Sequence, residues 1–312
     1  MLLTRPDDAV FPAMPLAQWV DTKDTLHRWL QIVGKIRLAA APPRNHWWHV
    51  PFHVTGRGIT TRPMGGDPIF TIDFDFVDHR LLIHTTTGRT ASFSLPGQSV
   101  ASFYEHTLSA LGDLGIALVI DRPEPFDLPD GTPFAQDTSH ASYEAVWVTR
   151  YWQVLSQVNL ILEEFAGGFS GKTSPVHHFW HTFDIAVTRF SDRKAALPAT
   201  VDAVTREAYS QELMSFGFWF GDASFAEPAF YSYAAPEPDG LAYEPLQPAV
   251  AEWLARDTGH LAVYRYDDAR AHDDPRASVL AFYDSAYRAG AKRAGWDIAR
   301  YDAPGGTTVR PA

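Results

Sequence analysis

Apolar residues recur with two different periods along this chain, and the switches between them outline its elements. Leu26, Trp29, Leu30, Val33, Ile36 and Leu38 keep close to a 3.6-residue period, which predicts a helix over about 16–40, stopped by Pro42-Pro43. Strand-like runs follow at 45–55, 58–64, 69–77, 81–87 and 90–95, with hairpin turns at Gly88-Arg89 and at Asp78-His79-Arg80. A second helix is predicted over 99–114, closed by Gly115, and then a short strand at 116–120. The stretch 121–137 is rich in Pro and Asp and has the composition of a linker. Beyond it the order repeats: a helix over 142–165, strands at 176–190, 212–220, 228–234 and 260–266, and a helix over 275–294. Loops at 191–206 and 235–250 interrupt this second half.

The repetition extends to residues. WLQIVGKIRL (29–38) lies over YWQVLSQVNL (151–160), with Gln31 on Gln153, and SVASFYE (99–105) lies over SVLAFYD (278–284). Between them HWWH (46–49) matches HFWH (178–181), and Arg57 matches Arg189 at the same offset. The expected fold is α+β: two tandem pseudo-symmetric repeats, each helix–antiparallel strands–helix, packed as one compact unit with a pocket at the seam. The expected boundaries are an N-terminal segment (1–13), repeat 1 (14–120), a linker (121–141), repeat 2 (142–300) and a disordered tail (301–312). One detail resists. The HWWH match puts Trp180, Thr182, Asp184 and Ala186 on the buried strand face, although Phe179, Phe183, Ile185 and Val187 are the more apolar set. A β-bulge or a partly fortuitous match accounts for that.

Composition narrows the function classes. There is no cysteine among the 312 residues, which removes disulfides, thiolate nucleophiles and Cys-held metal, and fits a reducing, cytoplasmic setting. Asp7, Asp8 and Pro12 stand where a leader needs an apolar run, and no stretch approaches the roughly 18 apolar residues of a membrane span. A net charge of −11 argues against nucleic acid and anionic membranes as partners and leaves a small-molecule ligand. The aromatic fraction of 13% is high enough that some rings are expected to line a pocket or an interface.

Five segments carry a resemblance: QIVGKIRLAAAPPRNHWW (31–48), VTGRGITT (54–61), GKTSPVHHFWHTFDIAVTRFS (171–191), EAYSQELMSFGFWFGD (207–222) and PAFYSYAAPEP (228–238). In these the chain resembles a bacterial family catalogued as a domain of unknown function, family 5996. The resemblance implies kinship and a shared fold over most of the chain, but no activity. It also implies that positions 178 and 181 are not characteristically histidine, which favours His46, His177, Asp184 and Glu212 as chemical groups.

The remaining motifs are weighed by geometry. Residues 166–173 satisfy a relaxed phosphate-loop pattern, yet a helix precedes the loop and a strand follows it, the reverse of what that mechanism needs. His49 and His53, on extended backbone, stand about 13 Å apart and cannot share one ion. A metal would need ligands from different strands, such as His46 or His49 with His177 or His181 and a carboxylate; aromatic packing and hydrogen-bonded core histidines are the alternative, and no metal or cofactor is the expectation. No nucleophile elbow, zinc-protease or dinucleotide motif is present. Asp73 and Asp75 alternate with apolar residues and read as a solvated strand face. Lys35 and Arg37 close the first helix, where cations answer the helix dipole or bind an anion. The expected function is acid–base chemistry on an anionic organic substrate. His46, His177, Asp184 and Glu212 would move protons, and Lys35, Arg57, Trp48, Lys172, Trp180 and Arg189 would hold the substrate. A non-catalytic small-molecule-binding protein and a structural or oligomeric module are the alternatives.

Overall fold

The computed structural model describes residues 11–303. Residues 1–10, on which the leader reading mostly rests, and 304–312 of the predicted disordered tail lie outside the described residues. Among the described residues the chain forms seven α-helices and two antiparallel sheets of six strands each, the mixed α+β class expected. It divides into an N-terminal unit (14–156 and 178–183) and a C-terminal unit (11–13, 157–177 and 184–303).

The N-terminal unit runs through α1 (Val20–Ala40), β1 (His53–Thr55), β2 (Gly58–Thr60), β3 (Met64–Gly65), β4 (Ile69–Asp75), β5 (Arg80–Thr85), β6 (Thr90–Ser94) and α2 (Val100–Asp113). It ends in the first half of α3 (Ala145–Gly167). Its sheet order is β1-β2-β4-β5-β6, with β3 beside β4. Alternation in β4 buries Phe70, Ile72 and Phe74 on one face, and the register sets Ile72 opposite Ile83 and Phe74 opposite Leu81. Phe74 stacks on Phe103 of α2, which in turn stacks on Trp29 of α1 at 4.8 Å. A reciprocal cap starts α2: Ser102 N–H donates to the Ser99 hydroxyl, and Ser99 N–H donates to the Ser102 hydroxyl.

Three expectations change here. Residues 45–50 are not extended. They form two successive turns, with Trp48 N–H donating to Asn45 O and Val50 N–H to Trp47 O, and with His46 and Trp47 left-handed (φ 53° and 60°). Pro51 then denies the chain a backbone donor, so the strand starts only at His53. No strand forms at 116–120. The Pro-rich stretch, for all its linker composition, is fastened to α1. The Gln31 side-chain amide bonds both the N–H and the carbonyl of Phe126, Arg28 Nε lies 3.4 Å from Asp137, and Phe134 is fully buried.

Segment 178–183 of this unit is anchored on α1 as well. The Trp180 ring lies where a side chain at Gly34 would have to stand: a Cβ added there meets it at 2.3 Å. Trp180 Nε1 donates to Val50 O (3.1 Å). From the same helix His27 Nε2 reaches the carbonyls of Trp180 and His181 at 3.0 and 3.2 Å.

The C-terminal unit opens on the second half of α3 and then β7 (His177–Phe179), of which His177 belongs to it. There follow β8 (Asp184–Lys194), α4 (Ala203–Ala208), β9 (Gln211–Trp219), β10 (Ala229–Ala235), β11 (Glu252–Arg256), β12 (Gly259–Arg265), α5 (Tyr266–Ala271), α6 (Pro275–Ala294) and α7 (Ile298–Tyr301). The order is β11-β12-β10-β9-β8-β7. Ile185, Val187, Phe216, Phe218 and Phe230 are buried, and Tyr283 of α6 packs on Phe216 and Phe230. A turn with Phe183 left-handed (φ 61°) separates β7 from β8, so alternation does not run from Trp180 into Asp184, and the strand-face anomaly dissolves. Asp302, assigned by sequence to the tail, forms a β-bridge with Phe169. Helix α4 begins inside the stretch 191–206 predicted as a loop, and strand β11 lies just past the predicted loop 235–250, where no strand was expected.

The two sheets share one order over four strands, β1-β2-β4-β5 and β8-β9-β10-β12. They differ in the fifth, since β6 follows β5 in sequence while β11 precedes β12. HWWH and HFWH each stand shortly before the first strand of that shared order. The matched residues nonetheless live differently: Gln31 is buried and bonded, whereas Gln153 is exposed. We keep duplication as a proposal resting on the shared order.

Gly34→Ala gives a direct check on the α1 anchor. In an unconstrained helix interior the change stabilises by up to about 1 kcal/mol. Here the methyl must displace a buried indole, so denaturant unfolding is expected to show a loss of about 2–3 kcal/mol.

Candidate functional site

The last turn of α1 presents Arg37. A cation there answers the helix's unsatisfied carbonyls, which needs no function to explain it. Its burial is another matter. Arg37 is only 5% exposed, and its Nε and Nη1 are buried without a hydrogen-bond partner. Among the described residues no carboxylate pairs with it. Burial first, then the nearby charges of Arg62 and Arg44, lowers its pKa to about 10.

Arg44 and Arg62 are themselves exposed. Two imidazoles share their field. His53 falls to about 4 through burial, followed by the charges of Arg62, Arg37 and Arg44. Burial also lowers His49, which is helped down by Arg37 and Arg44. Arg44 N–H donates to His49 Nδ1 at 3.1 Å, so the ring proton sits on Nε2. The backbone beside the cluster is strained: His46, Trp47 and Arg62 (φ 62°) are all left-handed, and Arg62 is held so by its N–H donating to Thr60 Oγ1. Trp47 stacks on His49 at 5.5 Å, and Trp48 lies 5.5 Å from the buried His46.

The other residues singled out by sequence in this unit have separate surroundings. Lys35 sits two positions before Arg37, about 200° around the helix, and the charges of Glu124 and Asp121 support it against a burial that lowers its pKa. Arg57 is bonded to Asp75 (2.7 Å) and Asp78 (2.6 Å), which raises its pKa. Asp75 does not lie on a solvated face. It is buried at the end of β4 and accepts from Val77 N–H, Asp78 N–H and Arg57. Trp180 is the α1 anchor.

In the C-terminal unit Asp184 is buried and accepts a hydrogen bond from the Tyr231 hydroxyl. Gly217 makes room for that ring, since a Cβ there would meet Tyr231 Oη at 2.5 Å. Burial and the Asp184 charge push the Tyr231 phenol well above its ordinary range, so it stays a donor. Glu212 accepts from Arg193, Ser191 Oγ and Trp296 Nε1. The register pairs Asp184 with Trp219, seven residues along β9 from Glu212 (219 − 212), or about 23 Å. The two carboxylates do not converge on one reacting group. His177 is buried in β7.

Lys172 bonds the Gln211 side chain and stands 5.0 Å from the Phe190 ring centre, in a loop that ends α3 and leads into a β-bridge. Arg189 donates to Phe165 O at the end of α3, with its guanidinium 3.6 Å from the Phe165 ring centre and 4.5 Å from that of Tyr287. Among the described residues no three His, Asp or Glu side chains form a group suited to a metal ion, and no helix is long and apolar enough to cross a membrane.

Sequence reasoning named Arg37 but missed the cluster around it. The signal was available: from Thr25 to Gly66 there is no Asp or Glu, while Arg28, Lys35, Arg37, Arg44, Arg57 and Arg62 all fall there, in a chain of net charge −11.

The buried imidazoles outside the cluster set a pH response. Burial holds both His27 and His178 at about 3, and His178 is bonded to Tyr151 Oη at 2.5 Å. A folded value below the unfolded 6.5 means that the unfolded chain takes up protons first, so stability is lost as pH falls from 6.5 toward 3. Relative to a His27→Gln variant, wild-type stability is expected to fall by about 1.4 kcal/mol per pH unit over that window. Denaturation series at pH 7, 6, 5 and 4 measure it, and a constant difference contradicts it.

No curated protein and no solved structure matches this chain. One family model does, over residues 11–303, that is, all of the described chain and both sheets. The chain therefore belongs to a family of unknown function, DUF5996.

Proposed function

We propose that the chain binds a small anionic molecule at Arg37, Arg44 and Arg62 of its N-terminal unit, and that it works as a ligand-binding protein. The observation that carries this reading is the Arg37 guanidinium, buried with two nitrogens unpartnered and only cations as its charged neighbours. An unpaired buried ion costs several kcal/mol, and the strained turns beside it add to that cost. An oxyanion removes the penalty through charge-assisted, bidentate hydrogen bonds, the geometry for which Arg is suited. The exposed Arg44 and Arg62 draw the anion in.

Binding is favoured over catalysis by what occupies the groups nominated for proton transfer. Glu212 Oε2 is held by three neighbouring donors, and Asp184 is tied to a phenol that does not ionise. If a proton is moved at the Arg37 cluster, His49 and His53 are the groups to move it, since both stay neutral at pH 7. The lack of cysteine and the acidic composition suit a cytoplasmic setting.

Arg37→Met tests the reading by its sign. Removing an unpaired buried charge is expected to raise the melting temperature of the ligand-free protein by a few degrees, from about 1–2 kcal/mol. The same change is expected to abolish the stabilisation that wild type gains from millimolar phosphate. A variant that melts several degrees lower yet still responds to phosphate makes Arg37 a helix-terminus support and nothing more.

A further inference from the structure

We infer that the anion is the dianionic phosphate of a small phosphomonoester, an inference that rests on the anion-binding reading of the Arg37 cluster. Charge balance argues it first. Among the described residues the three guanidinium groups are answered only by the C-terminal end of α1, worth about half a negative charge. A monocarboxylate leaves more than one positive charge uncompensated, and a phosphomonoester, at about −2 near neutral pH, nearly closes the balance.

The donor inventory argues it next. Nε and Nη1 of Arg37 are both unpartnered, and since each shares an edge of the guanidinium with Nη2, either edge has a free N–H for an oxyanion oxygen. His49, proton on Nε2, adds a neutral donor. The cluster thus offers N–H groups to an ion that has three terminal oxygens to fill.

Access restricts the ester. Arg37 is 95% buried while Arg44 and Arg62 are exposed, so a ligand that meets all three must bring a small terminal group inward, past the exposed pair, as the turns beside it give way. A phosphodiester is substituted on two sides and carries one charge, so a nucleic-acid backbone fits neither the reach nor the balance. The chain's net charge of −11 opposes polyanions further. Trp47, stacked on His49, supplies an aromatic wall beside the donors for the organic part of the ester.

The test is calorimetric titration of the full chain at pH 7.5 and constant ionic strength with inorganic phosphate, phenyl phosphate, dimethyl phosphate and acetate. Wild type, Arg37→Met and Arg37→Lys are compared. Phosphate and phenyl phosphate are expected to bind, with phenyl phosphate the tighter, and dimethyl phosphate and acetate at least roughly tenfold weaker, a gap of about 1.4 kcal/mol. Arg37→Lys keeps the charge but loses the fork, and is expected to weaken phosphate at least roughly tenfold as well. Equal affinity for all four anions in wild type overturns the phosphomonoester assignment and leaves the anion site standing. No binding of any anion, or phosphate binding unchanged in Arg37→Met, overturns both.

Discussion

The contact on which the N-terminal unit depends is the indole of Trp180 lying against Gly34. Any side chain at position 34 would occupy the ring's place, so the helix carries a glycine where its own propensity disfavours one. The same indole donates to the carbonyl of Val50, next to His49. One residue thereby fixes the end of α1, which carries Arg37, and the turns at 45–50, which carry His49 and Trp47. His27 holds the segment from further along the helix. The distance between the two walls of the cationic cluster is set by this packing rather than by attraction between their charges, which repel.

That repulsion separates Arg37 from the other buried arginines. Arg28 has Asp137, and Arg189 has a backbone carbonyl within a box of aromatic rings. Each is accounted for as structure. Among the described residues Arg37 has neither a carboxylate nor an aromatic face, and burial and its cationic neighbours lower its pKa. A protein keeps an arrangement that destabilises its empty form when something else compensates, and a ligand bound only by the folded state does so.

Much of the fold was legible because its elements are strongly periodic. Helices α1, α2, α3 and α6 and most strands fall within a few residues of the boundaries read from apolar spacing. The errors arose where local chemistry overrides periodicity. HWWH alternates like a strand, but left-handed His46 and Trp47 close it into turns, and an indole at position 47 does not forecast a positive φ. Asp75 follows the alternation of β4 and is nevertheless buried, because two turn amides and Arg57 claim its carboxylate. Asp184, nominated for proton transfer, is instead held by the Tyr231 hydroxyl. Arg57 and Arg189, matched by offset, proved to have unrelated surroundings, an exposed cation paired with the buried Asp75 and with Asp78, and a buried aromatic box. The cationic cluster escaped motif reasoning because it is defined by missing acids across 25–66 rather than by a spacing.

The most direct measurement follows the Arg37 guanidinium itself, by the side-chain Nε–H correlation in ¹⁵N-labelled protein during titration with phenyl phosphate. The Arg37 Nε–H, buried and unpartnered in the free protein, is predicted to shift downfield in a saturable way and to exchange more slowly with water, while the Arg189 signal stays fixed. An Arg37 signal that stays in place while only the exposed Arg44 and Arg62 respond contradicts the account.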